Sequence, residues 1–525
     1  MSNSYDTIII GAGHNGLVCA TYLAKAGRKV LMVEANEQVG GAAITREFAA
    51  GHSVSACAHL LHLLHPKIIA DLSLSSHGLK MAAQGLSTIA MSIDGEHLTL
   101  ARDSVSGGGV SAGDQRAYHD FQNKILRFTK VLEKTFMTRP PRLVHKNRKD
   151  LLTLACLGLS VRMLGREDMR ELLRIGAINI YDVLQEDFES ELLKGALGFD
   201  AVLGSNMGPR SSNSVLSYLY RMTGQLHGND SAISVPAGGM GAVTNALADA
   251  AKAAGVEIRT GTPVKQIVLD VDKVLGIETA DGERINSELV VSNADPKTTF
   301  LKLVGARNIE TGFARRIDNI RMQGKAAKLH LALDGLPNFN GLAEDQLGNR
   351  LLIAPTLNYV EQAFDHSKYG EYSNSPALEI SIPSIHDDSL AEAGKHVLSA
   401  VVQYAPYELR AGWDVQRETF KNLVIDKLAE YAPGIKEQIT ATELLLPADI
   451  EKEFHIHGGH WHHGEYTLDQ FMMLRPVPGA AQYSTPVQGL YLCGAGSHPG
   501  GGVMGLAGRN ASTEIIKRGQ ANGNA

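Results

Sequence analysis

A chain of 525 residues, 44% of them apolar, is long for a single core and suggests two domains, or one nucleotide domain interrupted by another. With 50 basic against 56 acidic residues the net charge is −6, so there is no positive field to make nucleic acid a partner. Four scattered cysteines, Cys19, Cys57, Cys156 and Cys493, form no CxxC spacing, which argues against a disulfide framework, a cysteine zinc site or a dithiol centre and fits a reducing compartment.

The polar N-terminus enters the first strand within a few residues, so no signal peptide or transit sequence is expected. No apolar run reaches the ~20 residues that span a bilayer. A cytoplasmic protein is expected, soluble or peripheral at a membrane surface. Residues 7–10 read as a buried parallel strand that runs straight into Gly11-Ala12-Gly13-His14-Asn15-Gly16 and a helix with Leu17, Ala20, Leu23 and Ala24 on one face. Gly11 allows the turn, Gly13 lets a pyrophosphate approach the backbone, Gly16 permits close helix–strand packing, and the helix N-terminus faces the phosphate charge. A second strand over residues 29–33 ends in Glu34, placed to bind both hydroxyls of an adenosine ribose and to repel a ribose phosphate. The dinucleotide is therefore FAD or NAD rather than NADP. Gly40-Gly41 resemble the extended fingerprint of the large FAD-binding oxidoreductase superfamily, which favours FAD.

After Gly41 the chain crosses over and enters a helix at residues 66–72. The segments GHNGLVCATYLAKAG and VGGAAITREF, with the Leu-rich stretch before His65-Pro66, resemble the phytoene-desaturase-like flavoproteins. Within that family the similarity is to the branch holding the desaturase-like carotenoid ketolases and the pyridine nucleotide-disulphide oxidoreductase domain-containing proteins. That second name promises a disulfide chemistry for which this sequence has no cysteine pair.

Residues 104–113 are glycine-rich without a preceding buried strand and read as a surface loop. Helical patterns follow over 114–174. Between them Arg139, Arg142, Lys146, Arg148 and Lys149 lead into an apolar helix, either an interfacial membrane anchor or a solvated loop before a buried helix. Around residues 203–209 the chain turns back toward the nucleotide domain. Gly238-Gly239-Met240-Gly241 then open a helix, followed by a strand at 256–259. The resemblance implies that Pro236 to Gly241 lie beside the flavin, whereas the glycines alone suggest ordinary helix-start chemistry. Residues 264–270, 273–279 and 285–291 alternate like a β-meander with an Asp281-Gly282 hairpin. In the resembled superfamily backbone at the start of its first strand contacts adenine, which points to Val264.

Residues 298–472 carry strand patterns at 328–333, 377–382 and 397–402 and a helix at 415–431, an inserted domain in which substrate identity is normally decided. Residues 489–494 form a last buried strand. Ala495 to Gly502 then lead into a helix beginning around Val503, whose bare glycines offer amide donors to an anionic group. The pattern resembles the family's C-terminal flavin motif, so both ends of the chain are expected to share one FAD site. The fold expected is α/β, a Rossmann-type FAD-binding domain assembled from discontinuous segments with an inserted substrate domain of mixed sheet plus helices. Residues 1–75, 226–297 and 476–525 form the FAD-binding domain, 76–225 a mainly helical cap and 298–475 a mixed-sheet substrate domain.

The expected FAD contacts are Gly11, Gly13, His14, Asn15, Gly16, Glu34, Ala35, Gly40, Gly41, Ala42, Val264, Gly494, Gly501, Gly502 and Val503. In His455-Ile456-His457-Gly458-Gly459-His460-Trp461-His462-His463-Gly464, the residues Gly458, Gly459, His463 and Gly464 match the resembled family, as do Asp469, Gln470, Arg475 and Pro476. His460, Trp461 and His462 depart from it. His455 and His457 read as loop hydrogen-bonding groups. His460, His462 and His463 either line the flavin pocket and move a proton near neutral pH or serve the loop, with His463 and then His460 the catalytic candidates. The spacing fits no metal site.

The resemblance implies an FAD-dependent oxidoreductase that desaturates or ketolates an apolar, isoprenoid-like or polyunsaturated molecule. Hydride or electrons pass to flavin, with oxygen or a membrane quinone as acceptor. A redox-neutral flavin isomerase, an amine oxidase and a non-catalytic FAD-binding regulatory protein are the alternatives, and a homo-oligomer is left open.

Overall fold

The computed structural model describes residues 4–142, 147–227 and 232–523. Its first sheet is fully parallel and ordered Glu257–Arg259, Val30–Val33 (β2), Thr7–Ile10 (β1), Val290–Ser292, Leu490–Leu492. Every residue of β1 and β2 is buried, as a parallel sheet covered on both faces requires. The sheet is thus built from pieces nearly five hundred residues apart in sequence, and the fold is the expected discontinuous α/β type. Helix α1 (His14–Lys25) follows β1 directly.

An antiparallel meander of Val264–Asp270, Lys273–Thr279 and Arg284–Asn286 lies beside it. The run expected as one strand over 285–291 is two. Arg284–Asn286 closes the meander, and Val290–Ser292 enters the parallel sheet next to β1. Ser287 makes the break, its hydroxyl bonding both the amide and the carbonyl of Leu289.

The second sheet has eight strands, ordered Ile439–Leu445, Ala326–Leu333, His396–Gln403, Ala377–Ser381, Arg350–Ile353, Thr88–Ala90, Leu98–Leu100, Val105–Gly107. It is antiparallel except where Arg350–Ile353 meets Thr88–Ala90. The last three strands come from the stretch expected to be mainly helical, and one edge strand, Val105–Gly107, occupies the expected surface loop. Leu98, Leu100 and Val105 are buried in the core that helix Ala112–Phe136 forms with Tyr118, Phe121 and Ile125, so short apolar strands there cover a helix. The expected helix at 415–431 spans Trp413–Tyr431.

Helix Arg148–Arg162 is apolar but not buried, since only Asp150 of its residues is. Leu151, Leu152 and Leu159, with Met163 just beyond, are 55% to 75% exposed. Arg139 does not face outward with them, because it pairs with Asp150 at 2.8 Å and Glu514 at 3.2 Å. Lys146 lies outside the described residues. No helix among the described residues is long and apolar enough to cross a membrane.

The C-terminal helix begins at Leu506 instead of around Val503. Val503 (φ +57°) and Gly505 (φ +82°) hold left-handed backbone that cannot open a right-handed helix. This helix packs on α1 so closely that a Cβ at Gly508 would overlap the carbonyl of Asn15. Gly508→Ala should cost about 1–3 kcal/mol through overpacking, read as a lowered thermal midpoint of the purified protein. An unchanged midpoint would contradict the contact.

Candidate FAD and substrate cavity

The loop Gly11–Gly13 leaves β1 and turns into α1, whose N-cap, Gly13, makes no side-chain cap bond and whose first turn carries no acid. The first amides of a helix have no intrahelical acceptor, so here they stand ready for an anion. A Cβ at Gly13 would lie 2.8 Å from Asn293 Nδ2, and one at Gly41 would lie 3.5 Å from Gly13 Cα. The glycine pair Gly40-Gly41 is therefore packed against the phosphate-type turn, with Gly40 N bonded to Ala12 O at 2.9 Å. Glu34 ends β2 and is buried. Its carboxylate accepts from Ala12 N at 2.6 Å and from Asn36 N at 3.0 Å, which fixes its direction.

These residues line one cavity of about 810 Å³, large enough for a cofactor with part of a substrate. Of the expected FAD contacts, Gly11, Gly13, His14, Asn15, Glu34, Ala35, Gly40, Gly41, Ala42, Val264, Gly502 and Val503 face it. The two ends of the chain meet here. Gly16, Gly494 and Gly501 are not on its wall. A Cβ at Gly16 would overlap Gly11 O, one at Gly494 would overlap Asn293 O, and Gly501 is held by Tyr466 and Tyr220 hydroxyls at 2.8 Å each. These three glycines sit where backbone packs on backbone or on tyrosine.

The segment Pro236 to Gly241 also lies off the cavity, as its own sequence suggested and the resemblance did not. Its amides are already bonded, Gly238 to Asp387, Met240 to Ser55 and Gly241 to Thr45.

The histidines separate into groups. His460 is buried with Nε2 2.9 Å from Glu465 Oε1 and does not reach the cavity. His455, His457, His462 and His463 line it. His455 Nε2 is 3.0 Å from Asn36 Oδ1, the loop role expected of it. Burial holds His463 at about 4, outweighing nearby Asp295, and holds His14 at about 4 with His463 as a second cause. Both imidazoles are neutral at neutral pH, so His463 can orient a ligand but does not store a proton there. Nε2 of His14 and Nδ1 of His462 and His463 are buried without a hydrogen-bond partner among the described residues. Such atoms on residues that line a cavity are what a polar cofactor ring would satisfy. Arg475, fully buried, is held by the carbonyls of Ala495 and His462 and stacks over Tyr466 at 5.2 Å.

Sequence reasoning missed the far wall. His59, His62, Asp200, Arg221 and Glu379 line it, and the stacked pair Tyr220 and Tyr466 adjoins them, with ring centroids 4.2 Å apart. A charge inside an otherwise apolar strand, Glu379 in ALEIS and Lys328 in AAKLHLAL, was the signal available.

A glycine turn at a parallel strand, an acid ending the next strand and a second domain closing the same cavity define a dinucleotide-dependent oxidoreductase of the flavoprotein type. The chain belongs to the flavin containing amine oxidoreductase family, whose model matches residues 16–516, and its cofactor is FAD. It is 36% identical to rat pyridine nucleotide-disulfide oxidoreductase domain-containing protein 2, over 98% of this chain and 93% of that one. It is 24% identical to a lycopene-forming phytoene desaturase of Pseudescherichia vulneris, over 97% and 98%. The resemblance to phytoene-desaturase-like flavoproteins therefore extends along the chain. A solved putrescine oxidase triple mutant superposes with TM-score 0.64 at 17% identity, covering 98% of this chain and 99% of that one, a likeness of fold.

Glu34→Arg should abolish FAD retention, because a guanidinium at the end of β2 cannot accept from ribose hydroxyls. The check is the flavin-to-protein absorbance ratio after purification; a variant as yellow as the parent would refute the ribose contact.

Proposed function

We propose that the chain desaturates or ketolates an apolar, isoprenoid-like or polyunsaturated substrate. The observation that carries this is the single cavity running from the dinucleotide turn to the second sheet, where Leu60, Leu63, Leu203, Val401 and Trp461 furnish an apolar wall. The name of the phytoene desaturase relative supports the isoprenoid class. FAD supplies the two-electron acceptor when bound. The α1 amides and Gly13 would hold its pyrophosphate, Glu34 the ribose, Val264 the adenine, and Gly502 with Val503 the pyrimidine end. His463 positions without carrying a proton, and the apolar wall excludes water. Oxygen or a membrane quinone would take the electrons.

An amine substrate is the second reading, favoured by the family's description and by the putrescine oxidase likeness of fold.

The exposed leucines of helix Arg148–Arg162 support attachment at a membrane surface. Arg148, Lys149, Arg162, Arg166 and Arg170 surround them, all exposed and without an ion-pair partner among the described residues. Leucines to enter the acyl boundary and cations to meet anionic headgroups fit a lipid surface.

Anaerobic incubation of the purified protein with a lipid extract should bleach the flavin and, for desaturation, yield a product two hydrogens lighter than its substrate, whereas ketolation would leave a product that carries an added oxygen drawn from water. Bleaching by amines alone would favour the second reading, and an unchanged product mass would favour isomerisation. Flotation with anionic vesicles should be lost in Leu151→Glu/Leu152→Glu, with a parent that never floats removing the membrane reading.

A further inference from the structure

Beside its apolar residues the far wall of the cavity carries a charged quartet, balanced in itself, with a further buried cation behind it. Asp200 and Glu379 are bridged by two guanidinium groups. Arg221 Nε donates to Asp200 Oδ1 at 3.0 Å and its NH2 to Glu379 Oε1 at 3.3 Å. Arg350 donates to Asp200 at 2.6 and 3.3 Å and to Glu379 through Nε. His59 Nε2 lies 3.3 Å from the remaining oxygen, Glu379 Oε2. Every carboxylate oxygen is thereby occupied. The donors are not. Arg221 has five N–H groups and, with His62 Nε2 at 3.4 Å, three partners among the described residues.

A fifth charged group stands behind this quartet. Lys328 is fully buried, and its ammonium donates to Ser399 Oγ at 2.9 Å, with His59 Nδ1 3.3 Å from the same oxygen. No carboxylate pairs with it directly among the described residues. When Lys328 is protonated, three cationic side chains face two carboxylates and one buried positive charge has no counter-ion, which costs free energy unless Lys328 gives up its proton or something negative joins it.

We infer that the missing counter-ion is the substrate's own, a carboxylate on an otherwise apolar molecule, received by Arg221 at the far wall of the cavity. This rests on the proposed apolar substrate and adds its head group. A hydrocarbon end would offer no acceptor to the N–H groups of Arg221 that remain unused, and an ammonium would add positive charge beside it.

Burial lowers Lys328 to about 7, so at that pH it is charged about half of the time. The groups around it do not titrate there. Burial pushes Cys57 up to about 12, His59 is held at about 4, and His330 on the same strand lies well below the ordinary range. Glu379 is held well below the carboxylate range, its burial outweighed by Arg350, His59 and Arg221. Glu443 on the neighbouring strand is paired with Arg46 at 3.0 Å. An anion at Arg221 would raise Lys328 and draw a proton onto it. Carboxylate affinity should then be highest below pH 7 and fall as pH rises through it, by up to about tenfold per unit.

The test is anaerobic titration of the FAD-loaded full chain with dodecanoate, methyl dodecanoate, dodecanol and dodecylamine, followed at the flavin absorption band. At pH 7 dodecanoate should bind at least about tenfold tighter than the other three, the scale of one charge-assisted hydrogen-bonded contact. At pH 8 its binding should take up close to one proton, measured with an indicator dye in weak buffer, while the ester takes up none. Arg221→Gln should erase the preference for dodecanoate over the ester. Should that variant fail to fold, the proton uptake of the parent protein still decides. Equal binding of all four probes, tighter binding of the amine, or no proton uptake would overturn the inference while leaving an apolar-binding flavoprotein in place. A flavin that responds to none of them would overturn both.

Discussion

The dinucleotide end of this molecule depends on how closely three backbone segments approach Asn293. Its amide donates to Ile10 O at 2.8 Å, joining the strand Val290–Ser292 to β1 at the point where the glycine turn begins. Its side chain stands within 3.5 Å of where a Cβ would sit on Gly11, Gly13 or Gly16, and its carbonyl occupies the place of a Cβ on Gly494. Gly16 and Gly494 leave no room for a Cβ and Gly11 holds a φ of +91°, so the first turn, the middle strand and the last strand close on one residue. This tight closure keeps side chains away from the α1 amides. The phosphate-type site is thus a consequence of packing, with no charged side chain required to build it.

Depth of burial governs the rest of the cavity. His14 and His463 are held at about 4 because the charged imidazolium would lose its hydration, and both stay neutral in the physiological range. Neutral rings with a free nitrogen are good hydrogen-bond partners for a polar cofactor and poor proton stores. His460, expected beside His463, is turned away by Glu465, which takes its Nε2 within the buried loop.

The second sheet contributes the opposite character. Val401 of that sheet, with Leu203 and Trp461 from outside it, forms an apolar stretch of the cavity wall. Arg221, Arg350, Asp200 and Glu379 set a rigid, hydrogen-bonded charge cluster at the same cavity. On the proposed function, the two together would receive an apolar molecule and fix its orientation, since a polar end can rest only where polar partners exist.

The sequence by itself determined the elements whose signals are local. Residues 7–10, the glycines after them and the strand near 490 were legible because a buried parallel strand and a tight turn each demand particular residues at fixed spacing. The same reasoning counted Gly494 and Gly501 among the cofactor contacts although neither is on the cavity wall, because a glycine needed for close packing and one needed for ligand approach look alike in one dimension; Gly16, also counted, packs helix against strand as its place in the turn implied. Tertiary structure alone decided that Asp200, Arg221, Lys328, Arg350 and Glu379 meet, since they come from two helices and three strands with no shared spacing. It also decided that the apolar helix at 148–162 stays exposed. Burial is a property of what packs against an element, and no pattern inside the element records its neighbours.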